Sequence, residues 1–551
     1  MTRWVMVADL ERCVGCQTCV AACRHANATS PAVQWRKVLD VEAGSFPNVS
    51  RTFVPVGCQH CEDPPCMHVC PSTATRRRSD GIVTIDYDIC IGCAYCDVAC
   101  PYQARFKIDE LQFAYEQGPM QNEIEREDLR MLGVAQKCTF CSDRIDFGLE
   151  NDLMPGLDPR ATPACVNSCI ADALQFGDID DPSSNVSRLL REQKHFRMHE
   201  ELGTAPGFFY AYANAGGAGD PPPEIDSPAA AAAAAAGKIR SHGVEPWHQQ
   251  HWDWKAAANF LCGGAGAGLF AFAALADTAE TSTRLLGLVA LGIVGLGLLL
   301  LLFKIGRPLR FFQVLRQPQR SWMAREAWVA GFFFPPALIA IWFANAALMS
   351  AAAAVGLVFL YCQGMILKEA RGIPAWREPR VVPLIAATGL AEGGGLFLAA
   401  IPLAPALGSF ANAVAVAVIV LAAARAWLWR SYLASLQATG APTRALEVLG
   451  RLQIWFFLFG LAGPFLLIAL GFGVPRLAPE FFAVGGLSAF AAGWALKFIL
   501  VTRAGYNQGF ALQHTPVRGA GIPGPAIKPG WSMPSILAAA KRHSASVEVK
   551  P

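Results

Sequence analysis

Hydrophobic positions divide the chain into two halves with different patterns. Beyond Trp254 they run in long blocks, each close to the roughly 20 residues that cross a bilayer as a helix. Eight blocks are read, at 256–276, 284–304, 326–346, 348–368, 383–403, 409–429, 452–473 and 481–501. Before residue 212 the apolar runs are short. Gly81-Ile-Val-Thr-Ile-Asp86 alternates like a strand, and short helices are expected to end at Val-Cys70-Pro and Ala-Cys100-Pro. This predicts an α+β, ferredoxin-like domain followed by an all-α polytopic membrane bundle of eight helices. Between them, Ala213 to about Gly237 is rich in Ala, Gly and Pro and reads as linker. The expected parts are therefore 1–212, a linker over 213–255, an anchor over 256–502 and a tail over 503–551.

Composition agrees with a membrane half. The 551 residues are 53% hydrophobic and only 16% charged, too apolar for one ordinary soluble protein. Of 18 cysteines, all but Cys262 and Cys362 lie between Cys13 and Cys169; those two read as packing residues. A disulfide framework would suit a short secreted chain. The first residues carry no basic start with an apolar run and no twin arginine, so the first domain is expected to stay unexported. Nothing points to nucleic acid.

The sixteen clustered cysteines fall into four groups. Cys90, Cys93, Cys96 and Cys100, followed by Pro101, have the C-x2-C-x2-C-x3-C-P spacing in which three thiolates take one [4Fe-4S] cluster and the fourth reaches another. Cys13, Cys16, Cys19 and Cys23 repeat the cysteine spacing without the proline, and Cys58, Cys61, Cys66 and Cys70, followed by Pro71, form a third group with four residues between its second and third cysteines. The last group is split, Cys138 and Cys141 being separated from Cys165 and Cys169. Sixteen thiolates fit four cubane clusters. Adjacency pairs the middle groups, giving Cys58, Cys61, Cys66 with Cys100, and Cys90, Cys93, Cys96 with Cys70. Elimination then gives Cys13, Cys16, Cys19 with Cys169, and Cys138, Cys141, Cys165 with Cys23. Four-thiolate zinc is the alternative, though the closely following third cysteine suits a cubane better. His60 and His68, among the ligands, read as surface or hydrogen-bonding residues, and Arg76-Arg77-Arg78 as a solvated turn or a surface for an acidic partner. Residues 106–136, acidic and without cysteine, read as an insertion able to hold a partner subunit.

The motifs Cys58-Gln-His-Cys-Glu-Asp-Pro-Pro-Cys66, Lys137-Cys-Thr-Phe-Cys141 and Glu201-Leu-Gly-Thr-Ala-Pro-Gly-Phe-Phe-Tyr210 make residues 1–212 resemble the four-cluster electron-transfer subunit of the dimethyl sulfoxide reductase family of molybdopterin oxidoreductases. The resemblance implies a wire of four [4Fe-4S] clusters and a separate molybdopterin-containing catalytic subunit. The substrate chemistry would then lie in that other chain.

Lys and Arg place the bundle. Seventeen are assigned to the connections after blocks two, four and six and to the start of the tail, against Arg284 and Arg476 on the other side. By the positive-inside rule the cluster domain should face the cytoplasm at a cell inner membrane. None of the ten histidines falls within a block, so no haem is expected. Electrons should instead meet a lipid-soluble carrier, ubiquinone or menaquinone.

The stretch Lys304-Ile-Gly306-Arg-Pro-Leu-Arg310, with a later Glu326, resembles the quinol-site region of the dimethyl sulfoxide reductase anchor, which implies quinone-binding roles for Lys304, Gly306, Arg310 and Glu326. Lys304 stands where relatives have histidine, suggesting hydrogen bonding rather than proton exchange. Glu392, within Ala-Glu-Gly-Gly-Gly395, is the deepest acid; it serves a proton path or bonds across helices that the glycines let approach. Residues 503–519 resemble the tail of anchors in cytoplasmic quinone-linked sulfite dehydrogenases. The expected role is relay of electrons from sulfite oxidation to quinone. The alternatives are a quinol-driven reductase of dimethyl sulfoxide, polysulfide or tetrathionate, and a purely structural anchor.

Overall fold

The computed structural model describes residues 2–214, 241–242 and 245–523, apart from residues 32, 46, 47, 111, 114, 116, 117, 127, 513 and 519–521. Most of the linker and the end of the tail lie outside the described residues. The chain forms two compact units, one of Met1–His68, Thr73–Trp247 and Asn507–Pro551, the other of Val69–Ser72 and His248–Tyr506.

The first unit is built on a four-stranded sheet of strands distant in sequence. Strand β1 (Trp4–Asp9) lies at its centre, and every residue of it is buried. Its unbroken run Trp-Val-Met-Val-Ala suits a strand covered on both faces. After it come β2 (Arg36–Ser45), β3 (Asn48–Gly57), β4 (Thr75–Arg77), β5 (Val83–Ile85), β6 (Phe106–Lys107), β7 (Ala135–Gln136), β8 (Leu174–Asp178), β9 (Gln193–Phe196) and β10 (Phe208–Asn214). The sheet order is β8-β1-β10-β9, with β1 antiparallel to β8 and parallel to β10. Strands β2 and β3 form a long hairpin with Arg36 opposite Gly57. The expected strand over 81–86 is β5, paired with β4. The short helices Pro65–His68 and Tyr95–Ala99 stop before Cys70 and Cys100 as the spacing requires.

One reading changes here. Arg76 and Arg77 belong to β4, while Arg78 docks on Asp146 (2.6 and 2.8 Å) and Asp80 (2.8 Å) instead of lying in a solvated turn. Residues 106–136 form an excursion whose ends are zipped by β6 and β7. The segment after the last membrane helix belongs to this first unit as well. Asn507 Oδ1 accepts from Gln103 Nε2 (2.7 Å), Trp247 N (3.1 Å) and Gly509 N (3.1 Å), and Phe510 and Leu512 enter the core.

The second unit holds eight helices long and apolar enough to cross a membrane, as the hydrophobic blocks predict. The first five are Trp254–Ala273, Thr281–Leu302, Trp322–Trp342, Ala346–Lys368 and Val381–Ala400. The sixth is Gly408–Thr439, the seventh runs from Thr443 to Gly473 through a π-turn at Leu458–Ala462, and the eighth is Ala478–Thr502. The close boundary between blocks three and four is real: Ala344 takes a left-handed φ of 49°, and the Asn345 side chain caps the next helix at Leu348 N (2.9 Å). Helix six continues ten residues past its apolar block, because the Arg, Leu, Ala and Gln residues of 430–439 suit a helix in water too. It ends where Gly440 turns left-handed at φ 68°.

The glycines of helix five let backbones touch. A Cβ on Gly393 would stand 2.1 Å from the carbonyl carbon of Gly268, and one on Gly395 would stand 2.3 Å from Gly486 O. Such contacts bring helix five against helices one and eight more closely than side chains allow.

Candidate functional site

The first C-x2-C turn of each cysteine group shares one backbone device. In each, the residue before the second cysteine has positive φ: Gly15 (71°), His60 (42°), Gly92 (70°) and Phe140 (57°). That curl aims successive N–H groups toward one side, a concavity suited to negative charge. Glycine adopts it without strain. His60 and Phe140 are held in it by stacking on each other, with centroids 3.6 Å apart, and His60 Nδ1 accepts from Val83 N (3.0 Å). Burial pushes the His60 imidazole well below its ordinary pKa. It is thus a neutral, buried hydrogen-bonding residue, whereas His68 pairs with Asp63.

Three of the cysteine sets converge. Cys13, Cys16, Cys19 and Cys169 line one pocket together with Gln17, Val38 and Leu174. Cys23 lies in the field of Cys138, Cys165 and Cys141, and Cys61 in that of Cys66, Cys58 and Cys100. Cys90 and Cys93 occupy a turn leading into the helix that carries Cys96, while Cys70 is in the stretch Val69–Ser72 that is compact with the second unit. Among the described residues no three of His, Cys, Asp or Glu meet at a single-ion site. Thiolates around one zinc share bonds of about 2.3 Å to a common point, whereas a cubane spreads them over its corners.

The donor set fits such clusters chemically. Burial pushes the Cys19, Cys100 and Cys138 thiols up to about 12. Holding them as thiolates therefore requires positive charge nearby. Iron supplies part of it, and the protein supplies the rest: Arg36 Nη2 points at Cys165 Sγ (3.8 Å), and Arg105 Nη2 donates to Cys66 Sγ (2.8 Å). Nothing local in the sequence marks either arginine.

In the membrane unit the candidate quinone residues are divided between a connection and a helix. Lys304 follows helix two and pairs with Asp253 at 3.5 Å. Gly306 is part of the same connection, and Arg310 lies in the 3-10 turn Pro308–Arg316. Glu326 is buried in the first turns of helix three, accepting from Asn259 Nδ2 (3.1 Å) of helix one. Gln363 of helix four donates from Nε2 to Asn259 O (2.8 Å). Asn259 and Gln363 escape a reading of the sequence because uncharged amides in apolar runs are common. Within this unit Ser321 Oγ, just before helix three, donates to Val69 O (2.7 Å).

Glu392 has a partner that the charge count conceals. Lys497 of helix eight pairs with Glu392 Oε2, both side chains being wholly buried, and donates to Phe260 O (2.8 Å) of helix one. Arg425, also buried, donates to Ala489 O (2.9 Å) and to Gly460 O (2.7 Å), a carbonyl of the π-turn. The hydrophobic pattern puts both cations at connections or helix ends; the structure places them inside the bundle. They therefore drop out of the topology count, which stays strongly one-sided without them.

Comparison with known proteins matches these two units. Residues 49–118 match the family described as a 4Fe-4S dicluster domain, and residues 253–382 the DMSO reductase anchor subunit, DmsC. A selenate reductase subunit of Mesobacillus selenatarsenatis is 41% identical over 221 residues, 38% of this chain and 71% of the relative. A putative dimethyl sulfoxide reductase iron-sulfur subunit of Halobacterium salinarum is 41% identical over 224 residues, 38% of this chain and 79% of the relative. A sulfite dehydrogenase subunit of Allochromatium vinosum is 38% identical over 227 residues, 38% of this chain and 83% of the relative. Buried thiol groups, eight membrane helices and these likenesses converge: the chain belongs to the dimethyl sulfoxide reductase family, as an iron-sulfur electron-transfer subunit continuous with a multi-pass membrane anchor.

Proposed function

We propose that the chain relays single electrons between a separate molybdopterin-containing subunit and a membrane quinone, and that the electrons come from oxidation of sulfite to sulfate. In this reading residues 1–212 hold four [4Fe-4S] clusters in the sets Cys13/Cys16/Cys19/Cys169, Cys23/Cys138/Cys141/Cys165, Cys58/Cys61/Cys66/Cys100 and Cys70/Cys90/Cys93/Cys96. The linker 213–255 fixes a one-to-one ratio with the anchor 256–502, and the tail 503–551 returns to the cytoplasmic side of the inner membrane. The observation that carries the quinone end is the place of Cys70, whose neighbour Val69 is bonded by Ser321. Five residues after Ser321 stands buried Glu326.

When bound, the clusters supply one-electron transfer, and the protein would hold them by mostly buried thiols near fixed charges. Glu326, with Asn259 and Gln363, offers a polar group near the start of helix three able to hydrogen bond a quinone oxygen. Lys304, Gly306 and Arg310 would complete the site from the connection. The sulfite assignment rests on the tail residues 503–519 and on the kinship with a subunit named for sulfite dehydrogenase. The same parts run in reverse would serve a quinol-driven reductase, a reading favoured by relatives named for selenate and dimethyl sulfoxide reduction.

The test is turnover of the native membrane complex with sulfite and an oxidised quinone analogue, with cluster reduction followed by electron paramagnetic resonance. Sulfite should reduce the clusters and then quinone. Clusters that ignore sulfite but, once reduced by quinol, are reoxidised by a sulfoxide, tetrathionate or selenate would reverse the direction. Glu326→Gln should lower quinone turnover while the cluster signals persist; unchanged turnover would remove Glu326 from the site.

A further inference from the structure

Three cations are buried among the cysteines. Arg36 is 1% exposed, Arg105 3% and Lys137 0%. A buried unpaired cation costs several kcal/mol or more, so each needs fixed negative charge close by. The ionisable groups acting on them are thiols, together with Arg105 in the case of Lys137, and Arg36 also lies over the Phe208 ring (5.0 Å). Their placement is ordered.

Thiols of two sets act on Arg36: Cys165, Cys138 and Cys23 of one, and Cys19 of the other. Its Nη2 contacts Cys165 Sγ (3.8 Å) and Met6 Sδ (2.9 Å), while Nε and Nη1 have no hydrogen-bond partner among the described residues. Buried guanidinium N–H groups without acceptors suit a site where cluster sulfur would accept them. Lys137 donates to Cys138 O and Val83 O, and its thiol neighbours are Cys58, Cys66 and Cys138. Arg105 donates to Cys66 Sγ (2.8 Å) and Thr75 Oγ1 (3.2 Å), with Cys58, Cys100 and Cys96 around it.

We propose that Arg36, Lys137 and Arg105 are potential-setting residues of the electron wire, one in each of the three gaps between four successive clusters. The inference rests on the ligand sets proposed above. In those sets Arg36 lies between the Cys13/Cys16/Cys19/Cys169 and Cys23/Cys138/Cys141/Cys165 positions. Lys137 lies between the latter and Cys58/Cys61/Cys66/Cys100. Arg105 lies between that set and the one containing Cys96. A cubane held by four thiolates is negative and gains one more negative charge on accepting an electron, so a cation fixed in a gap favours the reduced form of both neighbours. Each cation thereby keeps the potentials of two adjacent clusters from falling, and the wire conducts across every gap.

The experiment is an anaerobic potentiometric titration of the full complex, read by electron paramagnetic resonance, for Arg36→Gln, Lys137→Met and Arg105→Gln. Each variant should lower two midpoints, the reduction constant of each affected cluster falling about tenfold, or about 59 mV for one electron. The pattern needs no prior assignment of signals. Arg36→Gln and Lys137→Met should share one shifted signal, Lys137→Met and Arg105→Gln another, and Arg36→Gln and Arg105→Gln none. Arg36→Lys, which keeps the charge, should recover most of the shift, as a merely structural role would not. Four clusters retained with no midpoint moved, with all four moved together, or with a signal shared by the two arginine variants would overturn the proposal. Iron content and signal number in the unaltered complex test the ligand sets separately. Where Arg36→Gln fails to assemble, the shared signal of the other two variants carries the same test.

Discussion

Lys497→Met removes the cation of a pair in which neither side chain is exposed. Glu392 sits eleven residues beyond Val381, about 16 Å along helix five at 1.5 Å per residue, so water cannot easily replace the lost partner. Deleting one member of a buried ion pair costs about 3–5 kcal/mol, because the other charge is left uncompensated. That is about a hundredfold to several thousandfold in the folded-to-unfolded ratio. The carbonyls of Phe260 and Leu261 that Lys497 also meets belong to helix one and keep their helical bonds, so losing the amine there costs less. The double variant Lys497→Met with Glu392→Leu should therefore return to within about 1 kcal/mol of the parent, since apolar replacement of a whole buried pair is often neutral. The assay is denaturant unfolding of the detergent-purified protein. Tryptophan fluorescence would report the bundle and visible cluster absorbance the first unit. A single variant that loses less than about 1 kcal/mol, or a double no more stable than the single, would refute the reasoning.

Other consequences are more local. Gly393→Ala must push helices one and five apart, costing about 1–3 kcal/mol by overpacking, whereas Gly292→Ala, with open space at its Cβ, should leave the same melting curve unchanged. Asn507→Ala leaves three donors without their shared acceptor and should cost about 1–3 kcal/mol, seen as faster proteolysis of the segment 507–512; Asn507→Asp, which keeps the oxygen, should behave like the parent. Arg78→Ala breaks a partly exposed set of ion pairs, worth about 0–1 kcal/mol, so the melting of the first unit should barely move.

What the sequence determined by itself is whatever repeats over short distances. Cysteine spacing is a local property, since a turn that wraps a cubane has a fixed length, and so the four groups could be read from the sequence as candidate cluster ligands. Gly15 and Gly92 marked two of the tight turns, but His60 and Phe140 take the same left-handed conformation through tertiary stacking that no local pattern shows. Eight membrane helices were legible because bilayer thickness sets a length. The C-terminal end of helix six was not, since helix propensity continues past the apolar block. Tertiary structure alone decided the rest. The central sheet joins Trp4–Asp9 to Phe208–Asn214 by pairing across some two hundred residues. Lys497 and Arg425 look like boundary charges in sequence, yet one finds Glu392 and the other the carbonyl of a π-turn. Arg36, Lys137 and Arg105 are scattered basic residues until folding sets each among thiols of separate groups. A buried charge is stable only beside its partner, and that partner is chosen by the fold, not by proximity along the chain.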